Sequence, residues 1–184
     1  MIHTHHREKL VNAITYFAKN TENCGKTKLM KLLYYLDFWH FKETGKSVTG
    51  LDYHAWRKGP VPRDLFLELD NMRPDLKAAI DIVTRGSLRK IVPKQEFEDR
   101  YFTPREKRLL EEISFIFRDA NAEDMSNASH LANAPWDRTF KEKGEWAKID
   151  YLLSIDDAKG CLPYEEAKER MEEIEETYRT LGTG

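Results

Sequence analysis

Lys31-Leu32-Leu33-Tyr34-Tyr35-Leu36-Asp37-Phe38-Trp39-His40, continued by Thr49-Gly50-Leu51-Asp52-Tyr53-His54-Ala55-Trp56 and Gly59-Pro60-Val61-Pro62, decides how this chain folds. It reads as an aromatic-rich helix, a glycine break, a short strand and a stiff proline corner. The helix, Lys28 to Thr44, is apolar almost all round, the pattern of a central helix covered on several sides. One stripe departs from that pattern: Lys28, Lys31, Tyr35, Phe38 and Lys42 recur at steps of three and four, so lysines alternate with aromatics on a face expected to meet solvent. Gly45 and Gly50 then break the chain, and Leu51, Tyr53 and Ala55 alternate with Asp52, His54 and Trp56 as in a short strand. Pro60 and Pro62 fix their own backbone angles and push Lys58, Gly59 and Val61 toward extended geometry, so the corner is rigid before anything packs on it. Two roles fit it equally: turning a strand into a helix, or presenting Trp56, Arg57, Lys58 and Arg63 as a binding surface of aromatics and arginine.

Working outward, Leu10, Val11, Ile14, Phe17 and Ala18 share one face of an amphipathic first helix over Arg7 to Asn20. Gly25 is expected to close it in a left-handed cap and Thr27 to open the next. Pro62 starts a helix to about Met72, and Pro74 permits another short turn. Ile80, Ile82 and Thr84, then Leu88, Lys90 and Val92, alternate around Arg85-Gly86-Ser87, which predicts a hairpin packing with the first strand. Thr103-Pro104-Arg105-Glu106 combines a threonine cap, a first-turn proline and a glutamate three residues on, a strong helix start. Helices follow to Asp119 and from Ala122 to Ala132. Pro135 to Lys148 reads as a packed loop with two tryptophans, and Pro163 opens a last helix with a narrow stripe of Ala167, Met171, Ile174, Tyr178 and Leu181. The expected fold is α+β: a predominantly helical single domain, residues 1–184, around a buried central helix, with a small antiparallel sheet of short strands. No repeat or linker divides it.

Composition bounds the function. At 184 residues, 40% hydrophobic and 34% charged, the chain can bury a substantial core. No apolar run approaches a membrane span, and the start, Met1-Ile2-His3-Thr4-His5-His6-Arg7, lacks the apolar stretch of a signal peptide. Cys24 and Cys161 lie far apart with no metal-finger spacing and read as reduced thiols of a cytoplasmic protein. Charge is split: the net is +6 up to Val92 and −8 beyond it. Such polarity steers charged partners. With a sequence pI near 6.3, neither nucleic acid nor membrane is an expected partner.

The chemical motifs are weak. Gly25-Lys26-Thr27 resembles the end of a phosphate loop, but Asn20 stands where that loop needs its first glycine and a helix precedes it. Asp37 and His40 lie three apart on one helix face; with His54 or His130 they could ligate a metal, although a buried hydrogen-bonded pair is the commoner outcome. His3, His5 and His6 read as a frayed terminus. Ser126, Ser129 and His130 share a short helix without an acid partner or oxyanion cradle, and His130 is better placed to fix Pro135 and Trp136. No cofactor is expected.

The two blocks, Lys31 to Pro62 and then Ala128-Ser129-His130-Leu131-Ala132-Asn133-Ala134-Pro135-Trp136 after the helix from Leu109, resemble the Panacea domain, the SocA-like antitoxin family of toxin-antitoxin pairs. The resemblance covers about residues 7–155. It implies a bacterial or phage antitoxin that binds a cognate toxin and holds it inactive without chemistry. Asp37, His40, Tyr53, Trp56, Gly59, Pro60, Val61, Pro62, His130, Pro135 and Trp136 would then be structural motif residues. Lys31, Tyr35, Phe38, Trp56, Arg57 and Arg63 are expected on the toxin-binding face. Some relatives act as adaptors, with a protease or chaperone as a further partner. Others carry a preceding DNA-binding segment, for which the few residues before the first helix leave no room. The alternative of another class is a metal-dependent or hydrolytic enzyme using Asp37, His40 and His130.

Overall fold

The computed structural model describes residues 4–131 and 134–181. Its centre is a helix, as the apolar pattern requires. Helix α1 (His6–Asn20) leads through a short turn into α2 (Lys26–Thr44), whose Leu29, Leu32, Leu33 and Leu36 are wholly buried. Strands β1 (His54–Trp56) and β2 (Gly59–Val61) follow, then α3 (Arg63–Glu68), α4 (Pro74–Ala79), β3 (Ile80–Arg85) and β4 (Leu88–Pro93). Helices α5 (Pro104–Ile116), α6 (Ala122–Ser129), α7 (Pro135–Lys143) and α8 (Tyr164–Leu181) complete the order. The protein is mostly helical with two small antiparallel sheets, an α+β fold. Around α2 stand α1, α5, α6, β2 and a 3-10 turn at Tyr151–Ser154, so the helix is covered on several sides.

That crowding corrects the expected solvent stripe. Lys28, Lys31, Tyr35 and Phe38 are all buried, and Lys42 is the member that reaches the surface, where it pairs with Asp156. Lys28 Nζ donates to the Glu22 and Arg118 carbonyl oxygens, both 2.9 Å away, so α5 and its exit turn cover this face. Tyr35 stacks on Phe117 at 4.7 Å, and Phe38 stacks on Tyr151 at 4.3 Å.

The sheets also differ from expectation. The β3–β4 hairpin forms as read, but it does not join β1. It docks on the α1–α2 turn, where Ile91 N donates to Cys24 O at 2.8 Å and Gly25 bridges Lys90. Gly25 is therefore extended and caps the start of α2; the left-handed residue of that turn is Asn23. The buried residue of β4 is Ile91. Both edges of β1 are occupied: β2 pairs on one side, and on the other Ala55 N donates to Ala147 O while Trp146 N donates to Ala55 O. The proline corner is thus itself a strand before it becomes α3.

Local signals fixed several helix ends. Thr103 and Glu106 form a reciprocal capping box, Thr103 Oγ1 accepting from Glu106 N and Glu106 Oε2 from Thr103 N at 2.7 Å. Pro135 to Lys143 is helix where a loop was expected, with Pro135 in its first turn. Helix α6 ends at Ser129; Ala132 and Asn133 lie outside the described residues. His6 is not frayed: it begins α1 and lies against Gly50, while His3 lies outside the described residues. Helix α8 seats on the body of the protein. Ala167 is buried with Phe41 and Leu152, Met171 packs on them, and Arg170 Nη1 donates to Thr44 O at 3.0 Å.

Candidate protein-binding site

Most motif residues build the scaffold. The Asp37 carboxylate, wholly buried, accepts four hydrogen bonds: from Val48 N at 2.8 Å, Thr49 N at 2.7 Å, Thr49 Oγ1 at 2.5 Å and Tyr53 Oη at 2.7 Å. Burial raises its carboxyl, and these donors draw it back toward the ionised form. The segment after α2 is thereby tied to the middle of the helix. His40 is not Asp37's partner, contrary to expectation. Its Nδ1 donates to Lys46 O at 2.7 Å, a carbonyl that can only accept, which fixes the tautomer. His130 stacks on Trp136 at 3.8 Å, and Trp136 Nε1 donates to Trp56 O at 2.8 Å. Asp37, His40 and His130 are therefore engaged by three separate sets of partners, and among the described residues no group of three or more His, Cys, Asp or Glu side chains could hold a metal.

The proline corner closes over Lys31. This buried amine donates to Pro60 O at 2.9 Å, and desolvation pushes it down to about 7. Gly59 has φ +102°; a Cβ there would lie 2.5 Å from Ser129 Oγ and 2.8 Å from Lys31 Nζ, so only glycine fits. Ser126 Oγ on α6 donates to Lys58 O at 3.1 Å and clamps the same corner from outside. Pro62, buried, caps α3 and sends Arg63 into solvent.

Above this floor lies an aromatic surface. Trp56, half-buried, contacts Phe66 at 4.8 Å between centroids and Trp146 at 4.7 Å. Trp146 is 56% exposed and has φ +75°, a conformation that a bulky side chain adopts only at a cost. The backbone exchange with Ala55 holds it there. Arg57, with its side chain 82% exposed, reaches Glu145 at 3.2 Å, and Lys26 Nζ sits 3.7 Å over the Phe66 ring. Between these groups a cavity of about 230 Å³ is lined by residues that include Lys31, Trp56, Arg57, Lys58 and Phe66. A larger cleft of about 1140 Å³ lies under α8, lined among others by His6, His40, Glu106 and Tyr178.

Of the residues expected on a binding face, Trp56 and Arg57 reach this surface, Arg63 is exposed at the start of α3, Lys31 lies beneath the surface, and Tyr35 and Phe38 belong to the core. Sequence reasoning missed Phe66 and Trp146. The signal for Trp146 was the tryptophan pair in the 135–148 stretch, but its return to β1 depends on a pairing remote in sequence.

A family model, antitoxin SocA-like, Panacea domain, matches residues 29–137, more than half of the chain. The chain belongs to this family. The Panacea match opens in α2 and closes in the first turn of α7, so it contains the proline corner and the His130–Trp136 stack, whereas Trp146 and α8 lie beyond it. No curated protein and no solved structure shows a significant match. Among the described residues no helix is long and apolar enough to cross a membrane.

Proposed function

We propose that this Panacea protein is an antitoxin that neutralises a cognate toxin by direct binding, without catalysis, and that the toxin seats on the surface around Trp56 and Trp146. The observation that carries the location is the tilted Trp56–Trp146 ring contact, held by a left-handed backbone at Trp146 and flanked by exposed Arg57 and Lys58. Rigid aromatics beside arginine dominate binding energy at interfaces, and strained backbone concentrates at functional positions. Lys31, Gly59, Pro60 and His130 keep that surface rigid, so little ordering entropy is lost on association.

The test is co-expression with the product of the neighbouring reading frame. The wild-type protein should restore growth and co-purify with that product. Trp146→Ala should weaken the complex by roughly 2 kcal/mol, about thirtyfold, with an unchanged melting temperature. Undiminished binding by Trp146→Ala combined with Arg57→Glu would place the interface elsewhere.

A further inference from the structure

The cavity beside Trp56 is rich in donors and poor in acceptors. Lys31 supplies an amine whose N–H donors exceed its one hydrogen bond among the described residues, to Pro60 O. Trp56 Nε1 is buried with no acceptor among the described residues, and its ring walls the same cavity. Arg57 and Lys58 add two exposed cations. Glu145 is the carboxylate in the lining, and Arg57 already engages it. The remaining walls include Met30, Val61 and Phe66, apolar surfaces suited to a hydrocarbon stem. At about 230 Å³ the cavity falls below the roughly 300 to 1,000 Å³ of small-molecule pockets and matches a single inserted side chain.

We propose that this pocket receives an acidic side chain of the bound toxin, its carboxylate meeting the Lys31 ammonium and its stem lying against Met30, Val61 and Phe66. The proposal rests on the reading that this face binds a toxin. Two exposed cations and a buried amine that takes a proton from solvent as the anion arrives, against one engaged carboxylate, select an anion over a neutral carbonyl. A chain terminus would bring a peptide group needing partners of its own, which Met30, Val61 and Phe66 do not offer, so a side chain is the better occupant. Lys31 is buried at rest, and contact requires the rim of the cavity, which includes exposed Arg57 and Lys58, to part. A desolvated amine without a counter-charge is the group that gains most when a carboxylate arrives.

The test needs no toxin. The ¹⁵N-labelled protein is titrated with N-acetyl-glutamate N-methylamide, with its glutamine counterpart and with N-acetyl-alanine, and the Trp56 indole N–H signal is followed. The glutamate probe should bind at least tenfold more tightly than either of the others. Lys31→Met should abolish that preference, and Lys58→Gln, at an exposed position, should reduce it severalfold. Equal binding of the glutamate and glutamine probes to the wild-type protein would overturn the proposal whatever the variants do. Tightest binding by N-acetyl-alanine would overturn the choice of a side chain in favour of a chain terminus. Because co-purification reads the toxin and this titration reads the pocket, failure of one is distinguishable from failure of the other.

Discussion

Two buried ionisable groups on α2 show what single residues do here. Asp37 sets the path of residues 44 to 53 by accepting four hydrogen bonds from Val48, Thr49 and Tyr53. Asp37→Ala would leave those donors without an acceptor in the core, at a cost of at least about 3 kcal/mol, readable as a shift in the urea midpoint. Lys31 makes a different prediction. Its folded pKa of about 7 lies below the ordinary lysine value of 10.5, so between those values the unfolded chain binds more protons and stability rises with pH. Lys28 is lowered by burial in the same direction, while Cys24, pushed up to about 11 by burial, turns the slope back above its ordinary value of 9. The wild-type protein is therefore expected to be more stable at pH 9 than at pH 7, by up to about 1.4 kcal/mol per pH unit from Lys31. Lys31→Met should lose most of that rise; an unchanged pH profile in the variant would show that the amine is charged in the fold. The spacing of Asp37 and His40 correctly places them on one helix, but their partners come from a segment the helical period does not address.

At the scale of elements, α2 is the post on which the others lean. Leu33→Ala or Leu36→Ala, at wholly buried positions, should cost about 2 to 5 kcal/mol, and near-native melting of both would contradict the central placement. Helix α8 covers Phe41 and Leu152 through Ala167, so removal of residues 163–184 should lower the melting temperature of the isolated protein. Elements with strong local chemistry were legible in the sequence: α2 from its apolar surround, α5 from the Thr103 capping box, α8 from its stripe. Where several surfaces competed, legibility stopped. Helical period shows that Lys28, Lys31, Tyr35 and Phe38 share a face, but the covering of that face comes from Phe117, Arg118 and Tyr151, far along the chain. Likewise the alternation in β3 and β4 predicts strands and cannot say that the hairpin would find the α1–α2 turn instead of β1, whose edges were already taken.

Across the whole molecule, the family segment and its surroundings divide the labour. The proline corner, Lys31 and the His130–Trp136 stack lie within residues 29–137 and make a rigid platform, while Trp146 comes from beyond that segment and supplies exposed aromatic area. On the proposed reading, a recognition surface assembled this way can change its partner by changing Trp146 and its neighbours without disturbing the platform. With Arg57 and Lys58 beside it, the proposed surface would favour an acidic partner, and the affinity of the complex should fall as ionic strength rises. Amide hydrogen exchange on the complex with the proposed toxin, compared with this protein alone, locates the contact without any substitution. Protection should appear at 54–67 and 144–149 together. Protection confined to α8 and the large cleft beneath it, with 54–67 and 144–149 unchanged, would contradict binding through the Trp56–Trp146 surface.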